Sequence, residues 1–168
     1  MHHQWPTHEL PGPVVKSHDD EYMVELRCAV AVVRGDAVLL LQRPEHHDWV
    51  LPGGRPRQHE SMGSCARREV REETGLDVHP SRCAFVLEVN DPVLRRRVVE
   101  LVFAADEFDT STSLEGEPGR QPLWVGWDDL KGVNLRPPIA GFLPDLARGR
   151  SEYARYLGNM WRPDWEER

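Results

Sequence analysis

The chain reads as an α+β protein, a mixed β-sheet with helices on its faces, on three observations. Two β-rich runs, Leu26–Val33 and Ala37–Gln42, are joined by Arg34-Gly35-Asp36, a compact hairpin signal. A helix-compatible run follows from about Ser61 to Thr74. Beyond it lie three more strand-like runs, Ala84–Val89, Arg97–Ala104 and Leu123–Trp127. Hairpins interrupted by a crossing helix place helices against the faces of a sheet that holds strands of both senses.

Taken in order, residues 1–20 are rich in His and Pro and lack periodicity, which predicts an extended arm rather than a metal site at His2, His3, His8 and His18. A domain is expected over 21–148. Its second run is apolar almost without alternation, as suits a strand covered on both faces, and Arg43 follows at its end. Trp49-Val-Leu-Pro-Gly-Gly54 leads into a tight loop. The helix should stop at Gly75, a residue suited to the C-terminal cap. Asn90-Asp91-Pro92 breaks the next strand. The strand after it puts Val98, Glu100 and Val102 on one side and Arg97, Val99, Leu101 and Phe103 on the other. Residues 106–122 are polar and contain Gly and Pro, which predicts a loop. Asp128-Asp129-Leu130 reads as a helical turn, and Pro137–Ala147 as a helix started by its prolines, though Gly141 and Pro144 argue against it. Residues 149–168 carry Tyr153, Tyr156, Trp161 and Trp165, an aromatic extension expected to pack on the domain or on a second subunit of a homodimer.

Composition narrows the function. A net charge of −7 argues against a general nucleic-acid surface and means that an anionic substrate needs local arginines or a metal. No apolar run approaches a membrane span, and the N-terminus lacks a signal-peptide pattern; a cytoplasmic protein is expected. Cys28, Cys65 and Cys83 are odd in number and lack metal-ligand spacing, so reduced thiols are expected.

The helix carries the chemistry. Glu69, Glu72 and Glu73 stand at i, i+3 and i+4, so they share one face. Like charges at this spacing cost about 0.2–0.5 kcal/mol per pair. The same face carries Met62, Cys65 and Ala66, so the carboxylates continue a stripe that points toward the protein. Partly buried carboxylates this close stay ionised only beside positive charge. A hard divalent cation is one answer, since carboxylate oxygens suit Mg²⁺ or Mn²⁺. A solvated acidic helix end, with Arg68 and Glu72 as an ordinary pair, is the other.

The full spacing favours the first. Gly54, Glu60, Arg68, Glu69, Val70, Glu72, Glu73, Gly75 and Leu76 occupy every fixed position of Gly-x5-Glu-x7-Arg-Glu-U-x-Glu-Glu-x-Gly-U, with U aliphatic. The chain resembles the Nudix hydrolases. Arg43 at a strand end, the Trp49–Gly54 run and the Trp-containing strand before Asp128 extend the likeness over about residues 24–146. The resemblance implies an α/β/α sandwich with a central mixed sheet. It implies hydrolysis, with Mg²⁺ (or Mn²⁺ in its place), of a phosphoanhydride bond in a nucleoside diphosphate linked to another moiety, of NTP, ADP-ribose or sugar-nucleotide type. It further implies Glu69, Glu72 and Glu73 as metal ligands, with the Gly54 carbonyl. Arg68 would orient a carboxylate, and Glu60 would support the loop–helix geometry. By the same resemblance the general base would come from the glutamates of this motif, the Nudix box, or from a later loop, where Glu115 and Glu117 are the candidates and Glu117 is preferred. Arg43, Trp49 and Arg55 are the expected substrate contacts, a structural salt bridge being the alternative for Arg43. A regulatory module that binds a nucleotide without turnover is the competing reading; loss of box glutamates would favour it, and none is lost.

Overall fold

A computed structural model describes residues 23–106, 108–148 and 153–162. The expected N-terminal arm and Trp165 lie outside the described residues. Strands β1 (Met23–Arg34) and β2 (Ala37–Arg43) form the expected hairpin. It turns through Gly35 at φ +59°, where a side chain would be strained. With β3 (Asp48–Val50), β4 (Gly53–Gly54), β5 (Arg82–Asp91), β6 (Arg96–Ala105), β7 (Gln121–Gly126) and β8 (Arg155–Asn159) they build one sheet. Its order is β3-β2-β1-β6-β5-β8, with β4 on β1 and β7 on β2. The β1–β6 and β5–β8 pairs are parallel and the others antiparallel, so the sheet is mixed.

Helix α1 (Met62–Thr74) is defined by its ends. The Ser61 hydroxyl accepts the Ser64 N–H at 3.1 Å, and Gly75, at φ +77°, donates its N–H to the Arg71 carbonyl. Both satisfy groups that a helix end leaves unpaired. Cys65, Ala66 and Val70 bury against Cys28, Val30 and Val32 of β1 and Leu39 of β2. The alternate residues Ala29 and Ala31 face a second core with Val38, Leu40, Phe85, Leu87, Val102, Ile139 and Leu143. Strands β1 and β2 are therefore covered on both sides, as the unbroken apolar run of β2 requires. Each fully buried Val or Leu here contributes about 1.5–3 kcal/mol.

The second face is covered differently from the sequence expectation. In place of a helix over Pro137–Ala147 there is only α2, Asp145–Arg148, preceded by bends and turns. Pro144 has no N–H to carry a helix onward, and Gly141 lowers its propensity. Ile139 and Leu143 are nonetheless fully buried. Strand β8 lies on the sheet edge and Met160 is buried, while Tyr153 and Tyr156 are exposed. Among the described residues, no helix is long and apolar enough to cross a membrane.

Candidate active site

Two glycines bring loop and helix together. A Cβ on Gly53 would stand 2.2 Å from the Cys28 carbonyl oxygen, and one on Gly54 would stand 2.3 Å from Glu69 Oε1. Only a residue without a side chain allows both approaches. The Glu69 carboxylate thus lies against the Gly54 main chain. One turn on, Glu73 accepts the Gly53 N–H on Oε2 at 2.8 Å and takes the Arg120 guanidinium on Oε1. Its side chain is 3% exposed.

Arg68 orders the rest. Its Nε and Nη2 donate to the two oxygens of Glu60 at 2.8 and 2.9 Å. Its Nη1 donates to Glu69 at 2.7 Å and to Glu72 at 3.0 Å. Glu60 also accepts the Arg57 N–H at 2.9 Å, which ties it to the loop. The Arg68 hydrogen bonds are the chief cause that holds the Glu60 carboxyl down at about 2. Glu72 is the most exposed of the three helix acids, at 44%, and also meets Arg57.

The donor set suits a hard cation. Four carboxylates, from Glu60, Glu69, Glu72 and Glu73, gather at one face of α1, and Glu69 sits in the space a Gly54 Cβ would fill. Among the described residues no three acids, histidines or cysteines converge on a single point; the Arg68 guanidinium lies between Glu60, Glu69 and Glu72, and that of Arg120 pairs with Glu73. Carboxylate oxygens along a rigid helix fit Mg²⁺ or Mn²⁺. The Gly54 carbonyl, expected as a further ligand, faces the thiols of Cys28 and Cys65 at 3.6 and 3.9 Å. Both cysteines are free and buried, and burial pushes both thiols up.

The other expected residues divide. Arg43 places Nε and Nη2 on the two oxygens of the buried Asp48 at 2.8 and 2.7 Å; of its two readings the structural salt bridge is the one seen. Trp49 is half-buried against the core, and its main chain pairs with Asn134 and Arg136. Arg55 is exposed and bonded to Glu25 at 2.8 Å. Glu117 is exposed, and its carbonyl accepts the Arg120 N–H. Its loop reaches α1 through Glu115, which donates its N–H to the Thr74 carbonyl at 3.0 Å.

Sequence reasoning missed Arg120, an arginine in a polar loop with no spacing signal. It also missed a cavity of about 200 Å³ lined by Arg27, Arg43, Arg96, Arg136, Val98 and Glu100, among others. A signal for that cavity was present: Glu100 interrupts the apolar face of Val98 and Val102.

A family model described as the NUDIX domain matches residues 25–146, most of the chain. The chain belongs to the Nudix hydrolase family. This Nudix hydrolase is 29% identical over 119 residues to the uncharacterized Nudix hydrolase YvcI of Bacillus subtilis, covering 68% of this chain and 74% of that protein. It is 32% identical over 131 residues to the 8-oxo-dGDP phosphatase NUDT18 of Danio rerio, covering 76% of this chain but 37% of that protein. In fold it is similar to the mutator MutT protein from Bacillus halodurans, with a TM-score of 0.67 at 24% identity over 80% of this chain and 88% of that one.

Proposed function

We propose that this Nudix hydrolase cleaves a phosphoanhydride bond in a nucleoside diphosphate linked to another moiety, with Mg²⁺ or Mn²⁺. The observation that carries this is the placement of Glu69, Glu72 and Glu73 on one face of α1, oriented by Arg68 and set against the Gly53–Gly54 loop. The name of NUDT18, a phosphatase of 8-oxo-dGDP, supports the nucleoside diphosphate class.

Glu69, Glu72 and Glu73 are the residues that would hold the metal. When bound, it offsets charge on the phosphate oxygens and makes water a better nucleophile at neutral pH. The chain supplies the rest. Glu60 fixes Arg68, and Arg68 fixes the carboxylates of Glu69 and Glu72, so little reorganisation remains when charge develops. The Gly53 N–H holds Glu73 from the loop side. Glu117 is the proposed proton acceptor, on the loop that meets the end of α1 through Glu115.

The test is product release from a panel of ADP-ribose, sugar nucleotides, nucleoside triphosphates, 8-oxo-dGDP and dinucleoside polyphosphates, with Mg²⁺, Mn²⁺ or chelator. Cleavage that chelator abolishes is expected. No cleavage by folded protein with metal present would overturn the proposal and leave a nucleotide-binding module.

A further inference from the structure

The Gly53–Arg55 loop has a second neighbour besides the carboxylates. Gly53 gives its N–H to Glu73, but its carbonyl is met by Arg27 Nη2 at 3.5 Å. Along β1, Glu25, Arg27 and Ala29 alternate with Cys28 and so face away from α1. There they meet Val98 and Glu100 of β6, in register with Glu25 and Arg27. The result is the cavity of about 200 Å³, beside the box and on the other face of the sheet.

Its charge is lopsided. Among the described residues, Arg27, Arg55 and Arg96 share the single carboxylate of Glu25, at 3.9, 2.8 and 2.5 Å. Arg43 and Arg136 share Asp48, at 2.7 and 3.4 Å. The remaining acid, Glu100, is buried, and desolvation pushes its carboxyl up against the opposing pull of Arg27. Among the described residues, the guanidinium groups of Arg27, Arg43, Arg96 and Arg136 line the cavity against one lining carboxyl, that of Glu100. Each guanidinium carries five N–H donors, and the buried Arg96 Nε–H meets no acceptor among the described residues. The apolar part of the lining is Val50, Leu51, Val89, Val98 and Pro137, which lowers the local dielectric and strengthens the field. Among the described residues no aromatic side chain lines the cavity, so a nucleobase there would have no stacking partner from them. Guanidinium groups in such surroundings are suited to phosphate, which they bind through paired N–H donors.

We propose that this arginine pocket binds a phosphate group that the substrate carries outside its scissile anhydride. The substrate is then a nucleoside diphosphate linked to a moiety that is itself phosphorylated, with Arg27 as a specificity-determining residue. This rests on the hydrolase reading above, and it narrows that reading.

The test pairs turnover with binding. ADP-ribose and ADP-ribose 1″-phosphate differ by one phosphate. With Mg²⁺, the wild type should show kcat/KM at least ~10-fold higher for the phosphorylated member. Arg27→Gln should reduce that ratio to within about 3-fold while changing kcat/KM for ADP-ribose less than about 3-fold, and Arg27→Lys should restore part of the ratio. No preference in the wild type, or an equal loss on both substrates, would overturn the proposal. Independently of turnover, inorganic tripolyphosphate in chelator should raise the melting temperature of the wild type and of Glu69→Gln, but not of Arg27→Gln. Equal stabilisation of Arg27→Gln, or none of the wild type, would also overturn it. Tripolyphosphate binding without cleavage of any nucleotide would overturn the hydrolase reading and keep the pocket. Should Arg27→Gln fail to fold, Arg136→Gln reports on the same cavity.

Discussion

On one side of the Gly53–Arg55 loop, Glu60, Glu69, Glu72 and Glu73 meet Arg57, Arg68 and Arg120. On the other, Arg27, Arg43, Arg55, Arg96 and Arg136 meet Glu25 and Asp48. The first side has carboxylates in excess and the second has guanidinium groups in excess. A loop that is glycine at two successive positions lets both approach the same backbone. In a chain of net charge −7, this local inversion matters more than the total. On the proposed reading the acidic side holds a cation, and the basic side holds a phosphate of the substrate outside the bond that is cleaved.

Replacing the acidic side should have the largest effect. Glu69→Gln and Glu72→Gln should each lower metal-dependent kcat by about 10³-fold or more, with far-UV circular dichroism unchanged. Full activity in either variant would break the assignment. The junction between the sides comes next. Gly54→Ala drives a methyl into the Glu69 carboxylate and should cost about 1–3 kcal/mol in urea unfolding, with loss of activity. Gly63→Ala, where the added Cβ meets nothing within 4 Å, should be neutral or stabilising by about 0.5–1 kcal/mol. Equal effects from the two glycines would remove the argument for close approach.

The two sides also separate by pH. Glu60 has a folded carboxyl lowered from 4.5 to about 2, so the native state binds its proton less tightly than the unfolded chain. Its stabilisation is complete above the ordinary carboxylate range and is lost as pH falls toward 2. Glu60→Gln should therefore flatten the acid limb of a stability–pH profile, by about 1–3 kcal/mol. Glu100 has the opposite sign. Its carboxyl is raised by burial, so its cost appears as pH rises above the ordinary carboxylate value. Glu100→Gln should raise the melting temperature at pH 7.5 by about 2–4 °C and leave it nearly unchanged at pH 4. A drop at pH 7.5 would show that Glu100 is ionised and compensated.

The acidic side was legible in the sequence because its information is local. Spacing within one helix puts Glu69, Glu72 and Glu73 on one face, and Ser61 and Gly75 mark its ends. The strands β1, β2, β5 and β6 were legible within about three residues for the same reason, since alternation and turn residues are read a few positions at a time. The basic side was not. Arg27, Arg96 and Arg136 converge only once β1 lies parallel to β6 and the 135–144 segment folds over them. Pro137–Ala147 carried apolar residues at helical spacing, but Pro144 and Gly141 prevented the helix while leaving Ile139 and Leu143 in the core. Strand β8 gave no alternation to read, with Gly158 at φ +79° and a register shift opposite Val86 and Leu87. Arg120 became visible only through its contact with Glu73.

Whether the carboxylates of α1 bind a metal is read out by a Mn²⁺ titration followed by electron paramagnetic resonance, comparing the wild type with the double variant Glu69→Gln, Glu73→Gln. Saturable binding by the wild type, lost in the folded double variant, is the predicted result. The same binding in both proteins would mean that the carboxylates of α1 are not the metal site.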